Sequence, residues 1–446
     1  MLAAALIEAP WREPIAVLAA FADEPWAFGL AGRGQDARWA YVGRRPDLVL
    51  NLAPDDPREP FAELTGMLGA QPRPAADGPP FQGGVVGLAA YELGDRIEPL
   101  GLGRLDGWPD LACARYPATL AFDQAAGRVW AVGRGADEAQ AQARAGEALA
   151  WLDAPAPGDP PDLDAELEAD DPAAYERGVA EIIARIAAGE IFQANLARRW
   201  RGRLAPGARP FDVFARLHRL SPAPFAAYLR LPGLALASNS PEQFLHVEAS
   251  GAGLSAATRP IKGTAPRGAD AQADRALAAG LVASAKDRAE NLMIVDLMRN
   301  DLSRVCRPGT VTVPELFGLE TFANVHHLVS TVRGELAAGR TAVDLLRASF
   351  PPGSITGAPK IQAMRVIARL EAPRGPFFGS MFRLGFDGDL DSSVLIRTAA
   401  FSEDEAGWRV EARAGAGVVA DSTPAAERAE TEAKIAALAA ALQPGR

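Results

Sequence analysis

The close spacing of strand-like segments is the feature that most restricts how this chain of 446 residues can fold. Beyond residue 189, many apolar runs rich in β-branched and aromatic residues follow one another too closely for the crossover helices that parallel strands need. This spacing favours antiparallel pairing and an α+β fold, with large antiparallel sheets and helices on the outside. The strands predicted there are Phe192–Trp200, Phe225–Leu231, Phe244–Glu248, Phe378–Phe386, Ser393–Phe401 and Trp408–Ala412.

Helical segments are predicted among these strands. The first has an acid and a proline at its start, Asp171-Pro172, and it ends at Gly189, which are typical N-terminal and C-terminal signals of a helix. The predicted helices are Ala173–Ala188, Asp274–Asn300, Ala342–Ser349, Lys360–Leu370 and Ala425–Leu442.

Composition places one boundary along the chain. Residues 154–171 contain four prolines and seven acidic residues, which is typical of an exposed connector. Residues 1–153 precede it and form an N-terminal α+β region of short strands with one alanine-rich helix. Residues 172–446 follow it and contain the motifs described below, so we expect this region to carry the catalytic site.

Charge, cysteine content and hydropathy exclude several classes of protein. A net charge of −10 gives no general attraction to nucleic acid or to an anionic membrane. Cys113 and Cys306 are too few for a disulfide framework and lack a metal-ligand spacing. The N-terminus lacks a convincing signal peptide, and no apolar run reaches the ~18 residues of a membrane span. We therefore expect a cytoplasmic protein.

The string Pro260-Ile261-Lys262-Gly263-Thr264 holds one lysine between a proline and a glycine, at the edge of a strand-like stretch. Burial disfavours the ammonium form of a lysine, so a lysine kept away from water can lose its proton and act as a nucleophile. A lysine in a surface turn is the alternative, and these five residues alone favour it.

Acidic residues stand at helical spacing in two places. Asp287 and Glu290 are three residues apart on one predicted helix, and Glu427, Glu430 and Lys434 share one face of the last helix. Two helices that each present paired carboxylates could hold Mg²⁺, which prefers oxygen ligands. The alternative is that these acids lie on the surface and are solvated, which is the usual case for pairs of this kind.

Three further segments could bind an anion. The loop 350–360 is rich in turn residues and opens a helix, and the glycine-rich run 414–419 allows a ligand to approach the backbone closely. Arg397, in the predicted strand Ser393–Phe401, points to the same face as Leu395 and Ala399 and could grip a carboxylate there. The alternative for the loop 350–360 is a plain connecting loop, and for the run 414–419 it is tight sheet packing. The alternative for Arg397 is a structural salt bridge.

Together these strings resemble the chorismate-utilising enzymes, a family of anthranilate, aminodeoxychorismate, isochorismate and salicylate synthases. The resemblance runs from about Asp171 to Leu442 and follows the family's order of motifs. Its landmarks are the strings at 189–196, 240–242, 260–264, 290–301, 327–330 and 350–360, then Arg397, then 415–419 and 421–424. The resemblance implies the fold of anthranilate synthase component I.

The resemblance also implies roles for individual residues. Lys262 would be the nucleophile, and Glu242 would be the general acid that helps the 4-hydroxyl of chorismate to leave. The implied ligands of Mg²⁺ are Glu290 and Glu430, with Asp287 and Glu427 behind them. The remaining substrate-binding residues would be Arg397, Lys434, Gly415 and Gly417 at the enolpyruvyl carboxylate, and Thr356 and His327 beside the ring.

Within the family, Lys262 together with Gln193 is similar to the aminodeoxychorismate synthase branch. Anthranilate synthases carry alanine in place of Lys262, and isochorismate synthases carry a lysine in place of Gln193. The implied enzyme is a transferase that converts chorismate and ammonia to 4-amino-4-deoxychorismate, for p-aminobenzoate and folate synthesis. A separate glutamine amidotransferase subunit would supply the ammonia.

Two alternatives stay open, namely anthranilate synthase component I and a chorismate-binding paralogue of low activity. The second is suggested by Phe377, where relatives usually have tyrosine, and by Phe382-Arg383, where they have Gly-Tyr or Gly-Trp. The first change removes a hydroxyl that could reach a carboxylate, and the second adds a charge near a packed strand. In relatives the N-terminal region can hold tryptophan, and a tryptophan-binding subdomain within residues 1–153 is a further expectation left open.

Overall fold

The computed structural model describes residues 3–34, 37–69, 78–155, 163–250, 253–322 and 325–443. The helices are α1 (Pro14–Ala19), α2 (Pro60–Leu68), α3 (Gly94–Ile97), α4 (Glu138–Ala150), α5 (Pro172–Ala187), α6 (Pro210–Leu220), α7 (Ala271–Ala283), α8 (Ala285–Ser303), α9 (Ala342–Ser349), α10 (Lys360–Leu370) and α11 (Pro424–Leu442).

The strands, in chain order, are β1 (Ala3–Pro10), β2 (Phe28–Leu30), β3 (Trp39–Gly43), β4 (Leu48–Leu52), β5 (Gly84–Ala89), β6 (Leu111–Tyr116), β7 (Ala118–Asp123), β8 (Arg128–Gly135), β9 (Glu168–Ala169), β10 (Gln193–Arg203), β11 (Phe225–Leu231), β12 (Leu234–Ser240), β13 (Gln243–Ser250), β14 (Gly253–Thr258), β15 (Ile261–Pro266), β16 (Thr312–Thr321), β17 (Val325–Glu335), β18 (Gly357–Ala358), β19 (Ser380–Gly385), β20 (Leu390–Val394), β21 (Thr398–Asp404) and β22 (Gly407–Val418).

The strands form two antiparallel sheets, which confirms the predicted α+β class. The first sheet has 12 strands in the order β1-β8-β7-β3-β2-β11-β12-β21-β22-β10-β18, with β9 beside β10. The second has 10 strands in the order β15-β17-β14-β13-β20-β19-β5-β6-β4, with β16 beside β17. Both sheets combine strands from before and after the connector at 154–171, so that connector divides the sequence without dividing the sheets.

Two large clusters of apolar side chains form the core. One cluster lies between the sheets and joins residues of the first sheet, such as Phe28, to residues of the second, such as Leu88 and Phe382. The other packs the first sheet against helices on its outer side, where Leu18 of α1, Phe214 of α6 and Leu438 of α11 meet the strands. The sheets are therefore stacked, with helices outside, because each sheet buries apolar residues on its inner face.

Two elements that were predicted as continuous are each interrupted in the structure. The helix predicted at Asp274–Asn300 is two helices, because Ser284 leaves the helical conformation and its hydroxyl accepts a hydrogen bond from the Asp287 amide at 3.2 Å. This is an N-cap, and it starts α8 anew. The strand predicted at Ser393–Phe401 is also two strands, β20 of the second sheet and β21 of the first. The chain thus crosses between the sheets at residues 395–397.

A buried ion pair fixes α8 against the start of α10. The Lys360 ammonium donates to Asp301 Oδ2 at 2.7 Å and to the Ser349 carbonyl at 2.6 Å. Both charged side chains are largely buried, so each depends on the other for compensation. None of the described helices is both long enough and apolar enough to cross a membrane.

We expect Asp301→Asn to lower the free energy of unfolding by roughly 3–5 kcal/mol, because it leaves the Lys360 ammonium buried without its anion. Chemical denaturation measures this change. The matched control is Asp296→Asn on the same helix, where the ion pair with Arg299 at 2.8 Å is exposed and is worth less than about 1 kcal/mol. Equal losses in the two variants would contradict the expectation.

Candidate active site

Lys262 lies in β15, at a point where the pairing of β15 with β17 is irregular. The register shifts between Ile261 and Thr264, and Gly263 has a φ of +86°, a conformation that glycine adopts without strain. The half-buried lysine donates from Nζ to the Ser354 carbonyl at 2.9 Å. Burial lowers the pKa of Lys262, while the negative charge of Glu242 opposes that shift. Burial therefore shifts the balance toward the neutral amine, and the role of Lys262 as a nucleophile stays a prediction.

Glu242 lies between β12 and β13 and is only 5% exposed. Its amide donates to the Ser240 hydroxyl at 3.2 Å, and the side chain of Ser354 lies near its carboxylate. Burial raises the pKa of Glu242, and the side chain of Ser354 and the charges of Lys262 and Lys434 reduce that rise. A carboxyl with a raised pKa keeps its proton to higher pH, which suits a general acid.

The predicted acidic residues come together from α8 and α11. Burial raises the pKa of Glu290 and of Glu427, and the charge of Glu427 adds to the rise at Glu290. The pKa of Glu430 shifts in the other direction. Burial acts to raise it, but the ammonium of Lys434, 2.6 Å from the Glu430 carboxylate, holds it below its usual range. Asp287 also acts on Glu290 through its charge. The four carboxylates thus form one electrostatic group.

This group has the chemistry of a site for a hard cation. Its members are oxygen donors, and the raised pKa values of Glu290 and Glu427 indicate negative charge that lacks full compensation. Within the described ranges, no group of three or more acidic, histidine or cysteine side chains is placed so that it could hold a metal ion. Mg²⁺ usually binds one or two carboxylates and completes its shell with water and substrate oxygens, so the residues fit that ion.

The surroundings of Arg397 differ from the prediction. It does not alternate with Leu395 and Ala399 in a strand, because it stands in the crossing between the two sheets with a φ of +52°. This conformation is uncommon for a residue with a side chain and costs roughly 1 kcal/mol or more. Burial lowers the pKa of Arg397, and the charge of Glu430 opposes that change.

The alternative that Arg397 makes a structural salt bridge is not supported. Among the described residues, no carboxylate lies within ion-pair distance of its guanidinium, and no hydrogen-bond acceptor is bound to it. A half-buried arginine with this deficit is suited to bind an anion, since an arginine can hold a carboxylate with two parallel hydrogen bonds.

Lys434, Gly415 and Gly417 form the wall beside Lys262. Lys434 donates to the Gly415 carbonyl at 2.9 Å. A Cβ at Gly417 would lie 2.5 Å from Gln193 Nε2 and 3.8 Å from Lys262 Nζ, so the backbone at Gly417 closely approaches the Gln193 amide. Gln193 is fully buried, and neither polar atom of its amide has a partner in the described structure. The two residues that set the predicted branch, Lys262 and Gln193, therefore both approach Gly417.

His327 and Thr356, the two residues predicted to lie beside the ring of the substrate, are both buried. The His327 ring nitrogen Nδ1 shares a hydrogen bond with the Thr264 hydroxyl at 2.9 Å. Burial, together with the charge of Arg397, lowers the pKa of His327 to about 4, so the ring is neutral at neutral pH. The Thr356 hydroxyl donates to the Pro352 carbonyl at 2.8 Å and is thus engaged within its own loop. Their contact with the ring of a substrate stays a prediction.

Sequence reasoning missed Ser354 and Arg374. Ser354 stands in the predicted loop 350–360, but its main-chain carbonyl contacts Lys262, and a main-chain contact has no sequence signal. Arg374 is 1% exposed and donates to the carbonyls of Ile355 and Asn195, at 3.0 and 2.6 Å. Arg374 lies outside every motif identified in the sequence, so no sequence signal indicated that it supports the site.

The charge added by Arg383 is balanced in the structure. Its guanidinium donates to the carboxylate of Asp389, lies 3.9 Å from that of Asp391, and stands 5.4 Å from the ring centres of Tyr41 and Phe81. Tyr41, Arg383, Asp389 and Asp391 line a cavity of about 540 Å³ between the sheets. The cavity lies away from Lys262 and offers space for a small ligand, while tryptophan binding in the N-terminal region stays a prediction.

Phe377 is buried, with its ring 5.3 Å below the guanidinium carbon of Arg413. The position is thus part of the packed interior. That the change from tyrosine removes a hydroxyl able to reach a substrate carboxylate stays a prediction.

Comparison with known proteins agrees with these findings. Residues 29–440 match the family described as chorismate binding enzyme. Aminodeoxychorismate synthase component 1 of Salmonella typhimurium is 41% identical over 387 residues, which are 85% of this chain and 81% of that protein. Anthranilate synthase component 1 of Streptomyces coelicolor is 39% identical over 433 residues, or 92% and 82% of the two chains.

Among solved structures, anthranilate synthase component I from Streptococcus pneumoniae superposes with a TM-score of 0.80 at 28% identity, covering 91% of this chain and 93% of that one. The fold, the family match and the relatives agree. This chain belongs to the family of chorismate binding enzymes.

Proposed function

We propose that this chorismate-utilising enzyme is the large component of an aminodeoxychorismate synthase, which converts chorismate and ammonia to 4-amino-4-deoxychorismate for p-aminobenzoate and folate synthesis. The observation that carries the proposal is the pair of Lys262 and Glu242, a lysine whose pKa is lowered by burial beside a carboxyl whose pKa is raised by burial. Relatives named aminodeoxychorismate synthase component 1 support the same assignment.

The proposed reaction has two displacement steps. The neutral Lys262 amine attacks the chorismate ring, a C–N bond forms, and the 4-hydroxyl leaves as water after it takes the proton of Glu242. Ammonia then attacks C4 and forms the second C–N bond, while the lysine leaves its ammonium adduct as the neutral amine. The new ammonium group at C4 returns one proton to the Glu242 carboxylate. Each step exchanges one bond at the ring for another, so no oxidant or reductant is required.

The anionic groups of chorismate need positive partners in this acidic protein. Arg397 has no anion of its own, and together with Lys434 and the backbone at Gly415 and Gly417 it would bind the enolpyruvyl carboxylate. Glu290 and Glu430, supported by Asp287 and Glu427, would hold Mg²⁺. The ion would bind the ring carboxylate and neutralise charge there.

Ammonia would come from a second component, a glutamine amidotransferase. The two cysteines of the chain are poorly suited to glutamine hydrolysis, because both are buried and burial raises their pKa values, that of Cys306 to about 11. A cysteine attacks as the thiolate, which such surroundings disfavour. The term component 1 in the names of relatives supports a partner subunit.

The identity of the product tests the proposal. Incubation of the chain with chorismate, Mg²⁺ and ammonium ions is expected to form 4-amino-4-deoxychorismate, which a lyase added afterwards converts to p-aminobenzoate. Chromatography with mass detection separates this product from anthranilate. Anthranilate as the main product without the lyase would identify an anthranilate synthase, and thermal stabilisation by chorismate without its consumption would identify an inactive paralogue.

Lys262→Ala is expected to abolish the covalent lysine adduct and reduce aminodeoxychorismate to below detection, with anthranilate as the residual product. Peptide mass spectrometry of quenched reactions detects the adduct on Lys262. Lys262→Arg is the control for charge, since a guanidinium keeps the positive charge but stays protonated and cannot attack. Normal activity in either variant would rule out the nucleophilic role.

The pH profile tests Glu242. Lys262 acts as the neutral amine, so the rate rises with pH as the lysine loses its proton, whereas Glu242 acts in its protonated form, so the rate falls as the carboxyl ionises. Glu242→Gln is expected to lower kcat roughly 10²–10⁴-fold and to remove the fall at high pH while keeping the rise. The exposed Glu248 on β13 provides the control Glu248→Gln. A fall at high pH that persists in Glu242→Gln would disprove the assignment.

A further inference from the structure

Two buried amide side chains on β10 have polar atoms without hydrogen-bond partners. Gln193 is fully buried, and neither atom of its amide has a partner among the described residues. Asn195 is 4% exposed, and its Oδ1 has no partner in the same part of the chain. A buried polar group that stays unsatisfied costs free energy, so such groups are rare in folded proteins. Two of them only two residues apart therefore point to a bound ligand.

The two amides share one face of the first sheet with two glycines. Residues two apart on a strand point to the same side, and Asn195 pairs with Gly417 of β22. A Cβ at Gly417 would lie 2.5 Å from Gln193 Nε2, and a Cβ at Gly415 would lie closer still to Asn195 Oδ1. Each amide thus packs directly against a glycine, in space that any larger residue would fill.

This amide face approaches the proposed nucleophile. The position of a Cβ at Gly417 lies 3.8 Å from Lys262 Nζ and 2.5 Å from Gln193 Nε2, so both nitrogens come within 4 Å of one point. Lys262 is held there by its hydrogen bond to the Ser354 carbonyl at 2.9 Å. A small molecule bound to the amides would therefore lie close to a ring attached to the lysine.

The unpartnered oxygens select a ligand that donates hydrogen bonds. An amide oxygen accepts hydrogen bonds and cannot donate them, and the carboxylates of chorismate also only accept, so they cannot satisfy Gln193 Oε1 or Asn195 Oδ1. Ammonia carries three N–H donors, and its lone pair stays free to attack while two of them are bound. Neutral acceptors suit this task better than carboxylates would, because a carboxylate favours the ammonium ion, which has no lone pair.

We propose that Gln193 and Asn195 form the site that receives ammonia near Lys262 and leaves its lone pair free to attack the ring. The inference rests on the proposed function, in which ammonia is the second substrate, and it adds the place where this nucleophile binds. Holding the nucleophile next to the ring removes much of the entropy cost of bringing the two together.

Gln193→Leu and Asn195→Leu each replace one amide by an apolar side chain of similar size. Initial rates are measured against ammonium chloride at saturating chorismate and against chorismate at saturating ammonium chloride, both at one fixed pH. Each variant is expected to raise KM for ammonia about 5-fold, the value of one hydrogen bond, and to leave KM for chorismate unchanged.

Thermal unfolding separates ligand binding from a structural role. Replacement of an unpartnered buried amide by leucine is expected to leave the melting temperature unchanged or to raise it, because the cost of the unsatisfied group is removed. The matched control is Gln124→Leu in the N-terminal region, since the Gln124 amide donates to the carbonyls of Gly32 and Ala37 at 2.9 and 2.7 Å. This control should lower the melting temperature and leave KM for ammonia unchanged.

Unchanged KM for ammonia in both variants, or a rise confined to KM for chorismate, would overturn the inference. If Gln193→Leu does not fold, Asn195→Leu alone decides the question. A wild-type protein that makes anthranilate refutes the proposed function, but in this assay that reaction also takes its nitrogen from ammonia, so the KM values still test the two amides. A protein that consumes no chorismate refutes both proposals.

Discussion

The buried guanidinium of Arg374 holds the walls of the site together. It donates to the Ile355 carbonyl in the turn that carries Ser354 and to the Asn195 carbonyl in β10, two residues from Gln193. It also pairs with the carboxylate of Glu371. An arginine suits this position because its planar fork donates in several fixed directions at once. The loop that contacts Lys262 and the strand β10 therefore both accept hydrogen bonds from the Arg374 guanidinium.

The same network brings the N-terminal region into the site. Glu92 accepts hydrogen bonds from the amides of Arg374 and Gly375, at 2.6 and 2.8 Å, and burial raises its pKa to about 7. The rings of Tyr91 and Phe378 each lie 4.4 Å from the guanidinium carbon of Arg374. A buried charge is tolerated only when its polar atoms are satisfied, and here residues far apart in sequence provide that compensation. These contacts connect the region before the connector to residues 374–375.

Much of the fold could be predicted from the sequence, because local signals determine it. The helices Ala342–Ser349 and Lys360–Leu370 were predicted with the bounds that the structure has. The acids of α8 and α11 share faces as helical periodicity requires, although Ser284 breaks the first of these helices. A serine in a polar helical run is read as a helical residue unless its capping hydrogen bond is seen, so that break could not be inferred.

The site was less predictable where main-chain geometry determines it. Arg397 was predicted as a strand residue because it lies in the apolar-rich run Ser393–Thr398, but a crossing between sheets has no sequence signature of its own. The contact between Lys262 and the Ser354 carbonyl is equally invisible in the sequence, because every residue carries a carbonyl. Residue types could therefore indicate which groups take part, and only the tertiary structure could indicate what holds them.

The electrostatics around Arg397 favour an anionic ligand. The Arg397 guanidinium is largely buried and has no hydrogen-bond acceptor among the described residues. Its positive charge helps to keep the His327 ring neutral. Glu430, the acid that acts on Arg397, is already paired with Lys434 at 2.6 Å. A carboxylate at Arg397 would compensate the guanidinium without disturbing that pair, whereas a cation there would be repelled. The positive φ of Arg397 places this charge at the crossing between the sheets, and the backbone strain it costs is understandable if the arginine serves a ligand more than the fold.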